Sequence, residues 1–339
     1  MTVRVLPPSF DRFDEVWLVD TEYVAPEGER PDPVCLVAKE LRSGRVVRLW
    51  KDELLDPPYG SGADVLFVAY NAVAELAVHR ALGWPDPVQI LDLYVEYLRT
   101  INGRTQPHGR GLLGALKSYH IAWTPVADKD LMRNLIIDGG PWSTQDQDSI
   151  LDYCHEDVTA LEHLLSAMAG EIDLDRALIR GRYMAAVTEM EWAGVPLDTQ
   201  GLATVLQQKD GLESCLVAAV NQNYDVFDNR KFAVSRFERY LQHHGIAWPR
   251  HQSGHLKLDQ DTFKERSDVF PILKPICDVR QTITGLKKNR LVVGSDGRNR
   301  TWLNPFGSRT GRNQPSSNRF IFGLPSWWRG FIQAKCGFR

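Results

Sequence analysis

The chain has 339 residues, of which 43% are hydrophobic and 24% charged. That is long enough for two domains with a core in each and too apolar for disorder. No apolar run approaches the ~20 residues that a membrane helix needs, and the N-terminus lacks the basic-then-apolar pattern of an export signal.

Net charge is −3, but residues 273–339 carry 13 Lys and Arg against Asp278 and Asp296, a local +11 that leaves −14 for the rest. Trp302, Phe306, Phe320, Phe322, Trp327 and Trp328 interleave with those cations. A basic, aromatic stretch of this kind suits a polyanion such as nucleic acid better than simple solvation. The five cysteines, at 35, 154, 215, 277 and 336, form no CxxC or Cys/His pairing. Neither a disulfide framework nor a zinc site is indicated, and a reducing cytoplasm fits.

In chain order, Val16-Trp17-Leu18-Val19 is an apolar strand that ends in Asp20-Thr21-Glu22. Side chains alternate faces along a strand, so Asp20 and Glu22 point the same way. Paired carboxylates at a strand end are either a solvated terminus or oxygen ligands for a hard cation such as Mg²⁺. Residues 34–41 and 46–50 read as a hairpin around the turn Arg42-Ser43-Gly44-Arg45. A strand over 65–70 ends at Asn71 and a helix follows over 72–82, stopped by Gly83-Trp84-Pro85. Glu75 then lies in the first helical turn, either exposed and favoured by the helix dipole or within reach of the first strand's carboxylates. A short strand over 88–91 leads to helical patterns after Asp92 and at 112–119, 130–137 and 145–168. In the last of these, Tyr153 and Asp157 share a face beside the apolar stripe Leu151, Val158, Leu161, Leu164 and Leu165. His155 and Glu156 should be solvated. Strands first, then strand and helix in alternation, predict an α/β domain with a mixed sheet.

Taken together, Asp20-Thr21-Glu22, Asn71 with Glu75, and Tyr153 with Asp157 resemble the motifs of DEDD-class 3′→5′ exonucleases of the tyrosine-containing branch. Glu75 is a departure, because that family usually has Asp there. The rest of the chain resembles family A DNA polymerases, the DNA polymerase I family. Gly181-Arg182-Tyr183-Met184 and the run from Glu189 to Asp198 look like the helix that opens the polymerase part. Helical patterns at 212–220, 235–244 and 260–264 are similar to its thumb. Arg309-Thr310-Gly311-Arg312, followed by Pro315-Ser316-Ser317-Asn318, resembles its Thr-Gly-Arg motif, and 328–332 the strand start after it.

The resemblance implies a ribonuclease H-like exonuclease domain over 1–170, a mostly α-helical thumb-like region over 176–300 and the beginning of a palm over 301–339. It implies a catalytic set of Asp20, Glu22, Glu75, Tyr153 and Asp157. The four carboxylates would bind two Mg²⁺ ions, with Mn²⁺ an alternative because Glu75 is one methylene longer than Asp and Mg²⁺ demands near-octahedral geometry. Asn71, Arg309, Thr310, Arg312 and Arg319 would touch DNA, as a single-stranded 3′ end or a primer-template. Both polymerase aspartates lack counterparts, so polymerase activity is not expected unless a separate chain supplies the palm and fingers. Two other readings remain at this stage: a catalytically silent DNA-binding fragment, and an exoribonuclease of the same class, against which the Thr-Gly-Arg segment speaks.

Overall fold

A computed structural model describes residues 6–104, 107–125, 128–288 and 290–334. The chain divides into two compact units. The first comprises Met1–Gly194 with Val293–Ser295 and Arg300–Pro315, and the second Val195–Val292 with Asp296–Asn299 and Ser316–Arg339.

The first unit is built on five strands: β1 (Glu15–Val24), β2 (Asp32–Glu40), β3 (Val46–Trp50), β4 (Val65–Ala69) and β5 (Gln89–Asp92), in the order β3-β2-β1-β4-β5. The hairpin partners β1–β2 and β2–β3 are antiparallel, while β1–β4 and β4–β5 are parallel. Among the described residues the helices that follow or interleave are α1 (Val73–Leu82), α2 (Leu93–Ile101), α3 (Leu112–Ser118), α4 (Lys129–Ile137), α5 (Thr144–Met168) and α6 (Leu174–Ala193). A mixed sheet wrapped by helices is what the strand and helix patterns predicted.

Val16, Trp17, Leu18 and Val19 are all essentially inaccessible, as a central strand covered on both faces requires. Trp17 and Val19 share a core with Leu76 of α1, while α5 packs against β1 and β2. The β2–β3 turn is held by the buried Glu40 carboxylate, which accepts from the amides of Val16, Arg42 and Ser43 and from the Ser43 hydroxyl. Those donors hold its pKa below the usual value against burial.

Helix α6 packs against β5 and α1. Its Gly181 permits the approach: a Cβ there would sit 1.9 Å from the Ile90 carbonyl oxygen. Gly181→Ala therefore sets two effects against each other. Helix propensity favours Ala by about 1 kcal/mol, and overpacking costs about 1–3 kcal/mol. The obstacle is backbone, which cannot swing aside, so a lower melting temperature is expected. A rise on thermal denaturation would show that α6 moves away freely. The buried Glu96 fixes the same helix, accepting from Arg180 Nε (2.6 Å) and Nη2 (2.8 Å).

The second unit contains β6 (Val195–Pro196), α7 (Thr199–Gln207), α8 (Lys209–Tyr224), β7 (Phe227–Asp228), β8 (Lys231–Phe232), α9 (Val234–His243), α10 (Gln260–Val269), α11 (Lys274–Lys288) and β9 (Arg298–Asn299). Phe237, Phe263, Leu273 and Ile276 centre its core, and the Arg280 guanidinium stacks over the rings of Phe232 and Phe263. The stretch 328–332, expected as a strand start, is instead mostly a 3₁₀ turn over Ser326–Phe331. Ile332 alone bridges to Leu197. Trp328 is fully buried, because side-chain-free Gly285 makes room beside Pro325 for its indole. Cys336 lies outside the described residues. Among the described residues no helix is long and apolar enough to cross a membrane.

Candidate active site

Asp20 and Glu22 project from the far half of β1 toward α5, as strand alternation requires. The Cys154 thiol of α5 lies 3.1 Å from Asp20 Oδ2 and 3.3 Å from the Asp20 carbonyl oxygen. One turn further along α5, Asp157 accepts from Lys129 Nζ at the start of α4 with both oxygens, at 2.6 and 2.9 Å. The same ammonium sits 5.3 Å from the centre of the Tyr153 ring. His155 and Glu156 are half-buried, not solvated, because α5 lies against the sheet. Burial, then the charges of Arg48 and Lys39, lower the His155 pKa there.

Glu75 is 3% exposed, which removes the reading of an exposed first-turn glutamate. Its Oε2 has no hydrogen-bond partner among the described residues. Asn71, in the left-handed region at φ 71°, forms the corner between β4 and α1. Buried Asp92 holds that corner: it accepts from the amides of Asn71 and Ala72 and also caps α2 through Tyr94 and Val95. Burial raises the Asp92 pKa to about 6 against those four donors.

The electrostatics are those of crowded carboxylates. Burial, then the charge of Asp157, pushes Asp20 up to about 8, while the Cys154 thiol and Lys129 pull it down. Burial and Asp20 raise Glu22 well above its usual value. Burial and Asp20 do the same to Glu75. Burial raises Asp157 although Lys129 opposes it. Burial and Asp157 raise Tyr153, so its phenol stays protonated at neutral pH.

Four oxygen-bearing side chains thus face one lysine, and one buried carboxylate oxygen lacks a partner. This donor set suits Mg²⁺ or Mn²⁺ in kind and in charge. In the structure, however, no three His, Cys, Asp or Glu side chains among the described residues come together closely enough to enclose an ion. Lys129 occupies both oxygens of Asp157 instead.

Sequence reasoning did not reach Lys129, Cys154 or Asp92. Lys129 follows the α4 cap Asp128 and belongs to no spacing pattern. Cys154 carries a signal in retrospect, since the residue after Tyr153 on a helix must face about 100° away, here toward β1.

The basic residues of the Thr-Gly-Arg segment fall in both units. In the first, Gly311 at φ +75° closes a turn in which the Arg312 amide donates to Ser308 Oγ (2.8 Å) and Arg312 Nε to Thr310 Oγ1 (3.1 Å). The Arg309 carbonyl accepts from Asn102 Nδ2 (3.0 Å). Arg319 belongs to the second unit, where its carbonyl accepts from Asn299 Nδ2 (2.9 Å).

The sheet and its helical cover define a mixed α/β protein, and β1 runs on to Val24, so Asp20 and Glu22 lie within it and not at its end. No family model matches the sequence, and no curated protein is significantly similar to it. Among solved structures the chain is similar to the POL domain of Pol1 from M. smegmatis in complex with DNA primer-template and dNTP, with a TM-score of 0.60 and 15% identity. That match covers 98% of this chain and 57% of the other, so the chain spans little more than half of its structural neighbour. The likeness gives this chain a DNA polymerase-like fold.

Proposed function

We propose that the chain is a metal-dependent 3′→5′ exonuclease acting on DNA 3′ ends, of the tyrosine-containing DEDD type, within a family A polymerase-like framework. What supports this reading is electrostatic: the charge of Asp157 acts on Asp20, Glu22 and Tyr153, and that of Asp20 on Glu22, Glu75 and Tyr153, with carboxylate charge in excess. The strand order supports a ribonuclease H-like domain. On this reading 1–170 is the nuclease, 176–300 is thumb-like and 301–339 begins a palm, and the protein works in the cytoplasm.

Asp20, Glu22, Glu75 and Asp157 would hold the ions, which supply Lewis-acid activation of the attacking water and of the leaving oxygen. Tyr153, kept protonated, orients that water by hydrogen bonding and does not act as its base. Asn71 would meet the nucleotide at the β4–α1 corner. The Cys154 thiol fixes the rotamer of Asp20.

The test is release of mononucleotides from 3′-labelled single-stranded DNA with Mg²⁺ or Mn²⁺, stopped by EDTA. Pure protein that releases none with either ion would end this reading. The second reading, a silent DNA-binding fragment, is favoured by Lys129 on Asp157. It predicts DNA binding without release. Tyr153→Phe is expected to slow release by roughly 10²-fold while leaving metal-induced thermal stabilisation unchanged. A lost metal shift would instead make Tyr153 part of the metal site.

A further inference from the structure

A second feature of the first unit is a cleft of about 400 Å³ between the loop after α2 and the 306–309 segment. Its lining includes Arg104, Arg110 and Arg309 and, among the described residues, no acid. Its walls are pinned from several directions. The Tyr97 hydroxyl donates to the Gly109 carbonyl (3.2 Å) and the Tyr70 hydroxyl to the Arg110 carbonyl (2.5 Å). Asn102 bridges to Arg309 across the cleft. Phe306, at φ 55°, lies edge-on to Tyr183 with centroids 5.3 Å apart, and Tyr183 in turn donates to Asn313 Oδ1 (2.9 Å). Three exposed arginines line a cleft whose backbone is held at Arg110 and Arg309, and guanidinium groups without neighbouring acids suit an anion. Tyr70 immediately precedes Asn71, so the arginine loop is tied to the corner that carries Glu75.

We propose that this cleft binds successive phosphates of a single-stranded nucleic acid and holds the strand whose end lies at the carboxylate cluster. The proposal rests on the nucleic-acid reading above. The recognised chemistry is the phosphodiester backbone, so binding is indifferent to base and sugar. Arg104 and Arg110 carry it together with Arg309.

The experiment is fluorescence anisotropy of labelled oligothymidylate and of oligouridylate of equal length, in EDTA, across a salt series. EDTA removes hydrolysis, so the result is independent of whether the protein is a nuclease. Each phosphate contact on a single strand contributes about 0.7 to the slope of log affinity against log salt. The Arg104→Ala, Arg110→Ala double variant should lose about 1.4 of that slope for both oligonucleotides. Arg104→Lys, Arg110→Lys should retain most of it. Arg176→Ala, which removes a charge from α6 outside the cleft, should leave it in place. An unchanged slope in the double alanine variant, an equal loss in Arg176→Ala, or a loss confined to one sugar would overturn the proposal. Wild-type protein that binds with the expected slope but releases no nucleotide in metal would leave the cleft standing and remove the nuclease.

Discussion

Asp20→Asn is expected to abolish metal-dependent release and, in metal-free buffer, to raise the melting temperature. The second effect follows because the fold holds Asp20 in its neutral form over a pH range in which the unfolded chain gains by ionising it. Folding lifts the Asp20 pKa from 3.8 to about 8. Between those values the folded state binds more protons than the unfolded state, so stability from this group is complete below the lower value and is lost as pH rises through the upper one. Each unit is worth about 1.4 kcal/mol, and relaxation around the charge brings the total down to a few kcal/mol. Asn has nearly the same shape and still accepts from Cys154, but it never ionises. Its advantage over Asp should therefore be small near pH 4, grow up to about pH 8 and stay level above that. Thermal melts of both proteins in EDTA across this range measure it. A gain of the same size at every pH would mean that Asp20 is not strained by its charge.

Much of this arrangement was legible in the residues. The Asp20/Glu22 alternation, the turn between β2 and β3, the β4–Asn71–α1 corner and the Tyr153/Asp157 spacing are local patterns, and local periodicity reports them directly. Burial of Glu75 was not legible. A first-turn glutamate has the same neighbours in sequence whether its helix meets solvent or a sheet edge. The packing of α6 was hidden for a related reason, since what fits it against β5 is an absent side chain at Gly181. Trp328 is buried by a 3₁₀ turn, which has no periodicity to read. Lys129 and the arginine loop are brought to their places by chain reversal alone. The first meets Asp157 across 28 positions and Asn102 meets Arg309 across 207. The polymerase-like fold was legible only as a set of resemblances spread along the chain, and the three-dimensional match supports that fold alone.

Lys129→Met is the change that separates an internal counter-ion from an ordinary ion pair. The Lys129 and Asp157 side chains are 26% and 13% exposed, so their pairing is stronger than a surface bridge and weaker than a fully dry one. Removing one partner of a buried pair costs about 3–5 kcal/mol. Here residual solvent and the already raised pKa of Asp157 soften that cost, because the carboxyl can take up a proton instead. Methionine keeps the stem packed over Tyr153 and deletes only the charge. Metal-free variant protein should accordingly melt below wild type. Asp20, Glu22 and Asp157 then lose the charge of Lys129, and both oxygens of Asp157 are released to a metal. Mg²⁺ and Mn²⁺ should therefore stabilise the variant more than they stabilise wild type, by about 1.4 kcal/mol for each tenfold gain in affinity. Melting curves over a metal titration, with Mn²⁺ paramagnetic resonance as an independent count of bound ion, read the difference. Equal metal shifts in both proteins would place Lys129 outside the ions' site. A smaller shift in the variant would mean that Lys129 holds Asp157 where a metal needs it, and the lysine would then be a positioning residue of the nuclease instead of a competitor for its ligands.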